Sequence, residues 1–188
     1  VPLKENSNVS RYVTTILPAI ALLALAGPAR AQFNANGATT LSVNVGSDAA
    51  IQINTGNTAM ATTGGAFSSD YTGQTSLIYK IRTSSTGGTG SITLRVTSDF
   101  NAGGPSVASP PTSSDALTYT CSINAPGTSC TGTLTPLMSA STSVATFGSN
   151  AKSAKAGNSG TVSWTLPNDP LYSTGTYSAT ITFTISAA

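Results

Sequence analysis

Apolar residues recur at every second position along most of this chain. Leu41, Val43 and Val45 share one parity, as do Ile51 and Ile53. Leu77, Tyr79 and Ile81 line one face, with Lys80 and Arg82 on the other. The same alternation runs through Ile92, Leu94 and Val96, then Leu117, Tyr119, Cys121 and Ile123, then Val162, Trp164 and Leu166. It ends in Tyr177, Ala179, Ile181, Phe183 and Ile185. A period of two places alternate side chains on opposite faces of a strand, and Thr and Ser fill the polar positions. A helix needs apolar residues three and four apart, and no segment after residue 31 has that stripe. The pattern predicts an all-β fold of antiparallel strands in an immunoglobulin-like β-sandwich, with a small closed β-barrel as the alternative.

Turns rich in Gly, Ser, Asn and Pro separate the strands, as at residues 85–90, 101–114 and 148–160. Residues 75–84 and 90–98 read as a central hairpin, and residues 116–123 and 130–135 as a second. The last two strands are expected at residues 160–166 and 175–186. The first 31 residues read differently. Lys4 and Arg11 precede an apolar run over residues 16–26, followed by Gly27-Pro28 and an Ala29-Arg30-Ala31 cleavage pattern. This order predicts a secretory signal peptide over 1–31, the run being too short for a membrane span. Residues 32–45 then form an extended N-terminal segment and 46–188 a single sandwich domain. The expected location is exported: periplasmic, cell-surface or extracellular.

Charge is scarce. Only 7% of the residues are charged, against about a quarter in an ordinary globular chain. Beyond residue 31 the cations are Lys80, Arg82, Arg95, Lys152 and Lys155, the anions are Asp48, Asp70, Asp99, Asp115 and Asp169, and no His is present. A Ser–His–Asp triad is therefore impossible, and paired carboxylates would require scattered Asp residues to converge. Ser149-Asn150-Ala151-Lys152 matches an S-x-x-K pattern, but it lies in a Gly/Ser/Ala-rich loop without the further elements that chemistry needs. Nucleic acid binding lacks the cationic surplus that drives it. The expectation is a non-catalytic protein with no cofactor, no metal and no nucleic-acid partner. Lys80, Arg82 and Arg95 fall on the polar parity and read as a solvated sheet face.

Cys121 and Cys130 are the only cysteines. Export favours pairing them, and the intervening Pro126-Gly127 is a turn signal that would bring the sulfurs together. The aromatics Trp164, Tyr79, Tyr119 and Tyr177 are in phase with apolar faces and read as core. Tyr71 and Tyr172 sit in turn-like contexts.

The stretch Gly175-Thr176-Tyr177-Ser178-Ala179-Thr180-Ile181-Thr182-Phe183-Thr184-Ile185 resembles the final strand of secreted bacterial β-sandwich subunits of the spore coat protein U and archaic chaperone–usher pilin type. Gly175 is the fourteenth residue from the end, as in many pilins, whereas Ala187 stands where they tend to carry an aromatic. The resemblance implies a surface-fibre subunit whose incomplete sandwich is filled by a strand donated from the next subunit, with a periplasmic chaperone and usher as partners. The donor would be the segment carrying Phe33, Ala35, Leu41, Val43 and Val45, which share one parity. The residues themselves also allow Leu41–Val45 to be the first strand of a complete sandwich. The functional expectation is an exported structural or adhesive protein that self-assembles into fibres. The alternative is a secreted polysaccharide- or cell-wall-binding module, toward which the similarity of Trp164-Thr165-Leu166 to the WxL cell-wall-binding domain points.

Overall fold

The alternating segments form strands wherever one parity can be buried between two sheets. The structure is a computed structural model and describes residues 39–188. The segment 1–31 expected to be a signal peptide, Phe33 and Ala35 lie outside the described residues. Within them the strands are β1 (Asp48–Ile53), β2 (Tyr71–Arg82), β3 (Gly90–Ser98), β4 (Thr118–Ile123), β5 (Thr128–Ser129), β6 (Thr142–Phe147), β7 (Asn158–Leu166) and β8 (Thr180–Ala187). They pair antiparallel into two four-stranded sheets, ordered β1-β2-β7-β4 and β5-β6-β3-β8. The sheets are separate, so the barrel alternative does not apply. Among the described residues the one helical element is a 3-10 turn at Ser113–Asp115.

The core is the apolar parity of the central strands. Leu77, Tyr79 and Ile81 of β2 and Val162, Trp164 and Leu166 of β7 face Ile92 and Leu94 of β3 and Val144, Ala145 and Phe147 of β6. The rings of Tyr79 and Phe147 lie 5.2 Å apart, and those of Tyr119 and Trp164 5.5 Å apart, both tilted. Each such pair adds about 0.5–1.5 kcal/mol beyond its burial. The polar tips are satisfied: Trp164 Nε1 donates to Thr75 Oγ1 at 2.9 Å, and the Tyr119 hydroxyl donates to the Ser143 carbonyl at 2.8 Å. Gly160 lies opposite Leu77 on one side and Ile123 on the other. A Cβ there would press on the Cδ1 atoms of both side chains, which would have to shift to admit it.

Three expectations are corrected. Residues 75–84 and 90–98 do not form a hairpin: β2 belongs to the first sheet and β3 to the second, so their connection crosses between layers. The cysteine hairpin shrinks to one bridge, Tyr119 opposite Leu134, while the short β5 joins the other sheet. Residues 41–45 form no strand, and the first strand begins at Asp48. The structure also adds β6, which the alternation did not reveal. Its buried Val144 and Ala145 are consecutive, because the β3–β6 register shifts at Ile92/Thr93. A bulge of this kind breaks the period of two.

Strand direction defines two ends of the sandwich. Asp48 pairs with Arg82, Gly90 with both Phe147 and Ala187, and Ile123 with Gly160. Gly90 also abuts Ile81, which ties the two sheets together at this end. The chain enters β1 here, and we call it the entry end. The far end holds the starts of β2, β4 and β8 and the finishes of β1, β3 and β7.

Candidate functional site

The two long sides of the sandwich are built differently. On the side of β4 and β5, Cys121 and Cys130 form a disulfide with their Cα atoms 5.5 Å apart. Ile123 N donates to Ser129 Oγ at 2.8 Å, and Tyr119 and Leu134 exchange backbone bonds of 2.8 and 2.9 Å. The Tyr79 hydroxyl donates to the Asn124 carbonyl and accepts from Gly127 N at 3.0 Å, fixing the intervening turn. Covalent and polar links thus draw the two sheets together along this side.

On the other side, β1 ends the first sheet and β8 ends the second. Their Cα atoms approach within 8 Å, yet no ladder joins them. The inward residues Ala49, Ile51 and Ile53 of β1 and Ile181, Phe183, Ile185 and Ala187 of β8 pack on the core but stay only half-buried. The matching positions of central β2 and β3, such as Tyr79 and Ile92, are fully buried. The apolar seam between β1 and β8 is thus incompletely covered, and each of the two strands has one backbone edge with which no described strand pairs. Natural sheets usually blunt such edges with charge or proline. β8 carries neither, and β1 carries only Asp48 at its start.

The candidate site residues divide accordingly. Ile181, Phe183 and Ile185 lie on β8 and form one wall of the seam. Gly175 and Tyr177 do not: the strand starts at Thr180, five residues later than the pattern predicts at Gly175. Tyr177 instead covers Gly104, where a Cβ would strike its ring, and its hydroxyl donates to the carbonyls of Gly103 (3.1 Å) and Ser173 (2.7 Å). Of the segment expected to be a donor, Leu41, Val43 and Val45 are 93%, 85% and 59% exposed. The β1 wall, Ala49, Ile51 and Ile53, was legible as a strand but not as part of a site, since nothing local marks an edge. Tyr79, Tyr119 and Trp164 are buried, whereas Tyr71 and Tyr172 are half-buried.

The polar clusters have structural roles. The Asp99 carboxylate accepts from Phe100 N, Val107 N, Ala108 N and Ser106 Oγ at 2.7–3.1 Å, organising the loop after β3. Partial burial raises its pKa, but these hydrogen bonds, led by Val107, outweigh it and hold the carboxyl below the ordinary value. Asp115 is lowered chiefly by the Thr112 hydroxyl, which donates to it at 2.6 Å. Among the described residues no group of three or more His, Cys, Asp or Glu could hold a metal, and no helix is long and apolar enough to cross a membrane. No family model, curated protein or solved structure matches this chain.

Proposed function

We propose that this protein is a non-catalytic, exported structural subunit that assembles into surface fibres by accepting, along its β1/β8 seam, the segment 33–45 of a neighbouring copy. The observation that carries this reading is the half-covered apolar seam between β1 and β8, beside an uncharged edge strand. The strand orders support it. β1-β2-β7-β4 and β3-β8 follow the A-B-E-D and C-F orders of an immunoglobulin-like sandwich, in which a further strand G lies beside F. Among the described residues no strand pairs with β8 on that side.

A strand added to β8 would gain backbone hydrogen bonds and insert alternate side chains between Ile51 and Phe183 and their neighbours. The alternation of Phe33, Ala35, Leu41, Val43 and Val45 suits that slot. A paired strand lies about 4.8 Å from its neighbour, so β1 must yield slightly; it is held by a ladder only to β2. Before assembly, a periplasmic chaperone could cover the same edge in the same way. An antiparallel partner of β8 runs from the entry end to the far end. Its last residue, Val45, then lies at the acceptor's far end, and Gly46 leads directly to the donor's own entry end. Copies would therefore stack entry end to far end.

Deleting residues 32–45 tests the reading. Fibres in electron micrographs and ladders on unheated denaturing gels should vanish, while the shortened chain still folds and accepts a synthetic peptide of residues 33–45. Fibres that persist after the deletion, or a peptide that does not bind, would sink it.

A further inference from the structure

The scarce charges are segregated along the strand axis. At the entry end, Lys80, Arg82, Lys152 and Lys155 line one shallow recess with Asp48, and all four cations are exposed. Arg82 Nε also donates to the Gly46 carbonyl at 2.6 Å, binding the incoming chain to this end. The remaining acids lie at the far end. Asp70 precedes β2, whose first residue Tyr71 pairs with Leu166, the last of β7; Asp169 follows that same strand. Asp115 precedes β4 and its backbone carbonyl accepts from the Tyr172 hydroxyl at 3.5 Å; its side chain is buried and those of Asp99 and Asp169 half-buried, so Asp70 and, in part, Asp169 are the acids this end presents. Asp99 follows β3, and its loop is tied to the loop after β7 by Ser173 N donating to Gly103 O at 2.9 Å. Among the described charged residues only Arg95, on the outer face of β3, stands apart.

The separation of the two signs brings no attraction between the ends of an isolated molecule. The twelve residues of β2 span roughly 40 Å at about 3.3 Å each, and the Debye length at physiological salt is about 8 Å. The two ends cannot attract one another within one copy, and like charges gathered at one end repel. A second copy placed entry end to far end removes that repulsion.

We propose that the cationic entry end is a docking surface for the acidic far end of another copy of this chain, and that this pairing orients and accelerates assembly. The inference rests on the fibre reading for the order of the copies, but it concerns the ends and not the seam. Charges at the rim of an interface act mainly on association rate and direction. An interface between two different faces propagates into a filament, where a self-complementary one would close as a dimer.

The test is the rate of assembly of the purified protein, followed by light scattering, at about 20 mM and about 500 mM salt, spanning a Debye length from about 20 Å to under 5 Å. We expect a fall on the order of tenfold. Lys152→Glu with Lys155→Glu should slow assembly at low salt by a similar factor, as should Asp70→Lys with Asp169→Asn. The Asn keeps the acceptor used by Leu171 N. Lys152→Arg with Lys155→Arg should leave the rate unchanged; circular dichroism checks that each variant folds. A salt-independent rate overturns the proposal. So does loss in the lysine variants without loss in the aspartate variants, the result expected if the basic end serves an acidic polysaccharide instead. Gel-resistant ladders report separately on strand donation. Salt-sensitive association without ladders would retain the docking ends and remove the donated strand, and ladders growing at a salt-independent rate would do the reverse.

Discussion

Replacing Leu41, Val43 and Val45 together by alanine distinguishes a segment that works between molecules from one that belongs to its own fold. The substitutions remove three apolar carbons from the leucine and two from each valine, at about 0.8 kcal/mol per buried group. Weighted by the 93%, 85% and 59% now exposed, the burial forgone on strand insertion is about 4–5 kcal/mol. That corresponds to a loss on the order of a thousandfold in the association constant. The single molecule should hardly notice, because exposed substitutions usually change stability by less than about 0.5 kcal/mol. Its melting temperature should move by no more than about 2 °C per substitution. If these residues were instead the first strand of a complete sandwich, the same 4–5 kcal/mol would be lost from the monomer, lowering its melting temperature by roughly 10–15 °C. The assay pairs thermal unfolding of dilute monomer with sedimentation velocity and unheated gels of concentrated protein. A large drop in melting temperature, or undiminished ladders, refutes the donor reasoning.

Changing Cys121 and Cys130 together to serine opens a loop with a sequence separation of nine and should cost about 2.6 kcal/mol on the chain-entropy relation, read as a fall of roughly 5–10 °C in melting temperature. Tyr79→Phe leaves the Asn124 carbonyl and Gly127 N–H without their side-chain partner and should cost about 1–3 kcal/mol, measurable by urea unfolding. Stability should fall on both sides of neutrality. Burial, then the charges of Asp115, Asp169 and Tyr71, push Tyr172 up to about 12, and burial raises Tyr79 and Tyr119. Their folded values lie above the unfolded value near 10, so stability is full below about pH 10 and lost as pH climbs toward 12. The folded values of Asp99 and Asp115 are lowered, so their contribution is full above about pH 4 and lost below it. With no His in the chain, melting temperatures between about pH 5 and 9 should be nearly flat.

Alternation with a period of two is local chemistry, and it was legible. It marked most strands and, for Leu77, Tyr79, Ile92, Leu94, Val162 and Trp164, the buried parity. The disulfide was legible because the two cysteines flank a Pro-Gly turn that brings them close together. The half-buried Ile181, Phe183 and Ile185 were visible as a strand. Their neighbours Gly175 and Tyr177 continued the pattern on paper, but the ring of Tyr177 was captured by the bare backbone at Gly103 and Gly104. β6 escaped because a bulge put Val144 and Ala145 side by side in the core.

Periodicity tells a strand which face to bury; it does not name its neighbour. Ladder partners are chosen by long-range packing, so the placement of β2 and β3 in different sheets could be decided only in three dimensions. The same holds for the seam. Ile51 and Phe183 look in sequence like any other buried strand residues, and only their positions at the ends of two sheets leave them half-covered. Charge poverty was likewise written in the sequence. Only the fold, by running strands in alternate directions, gathered Lys80, Arg82, Lys152 and Lys155 at one end and Asp70, Asp99, Asp115 and Asp169 at the other.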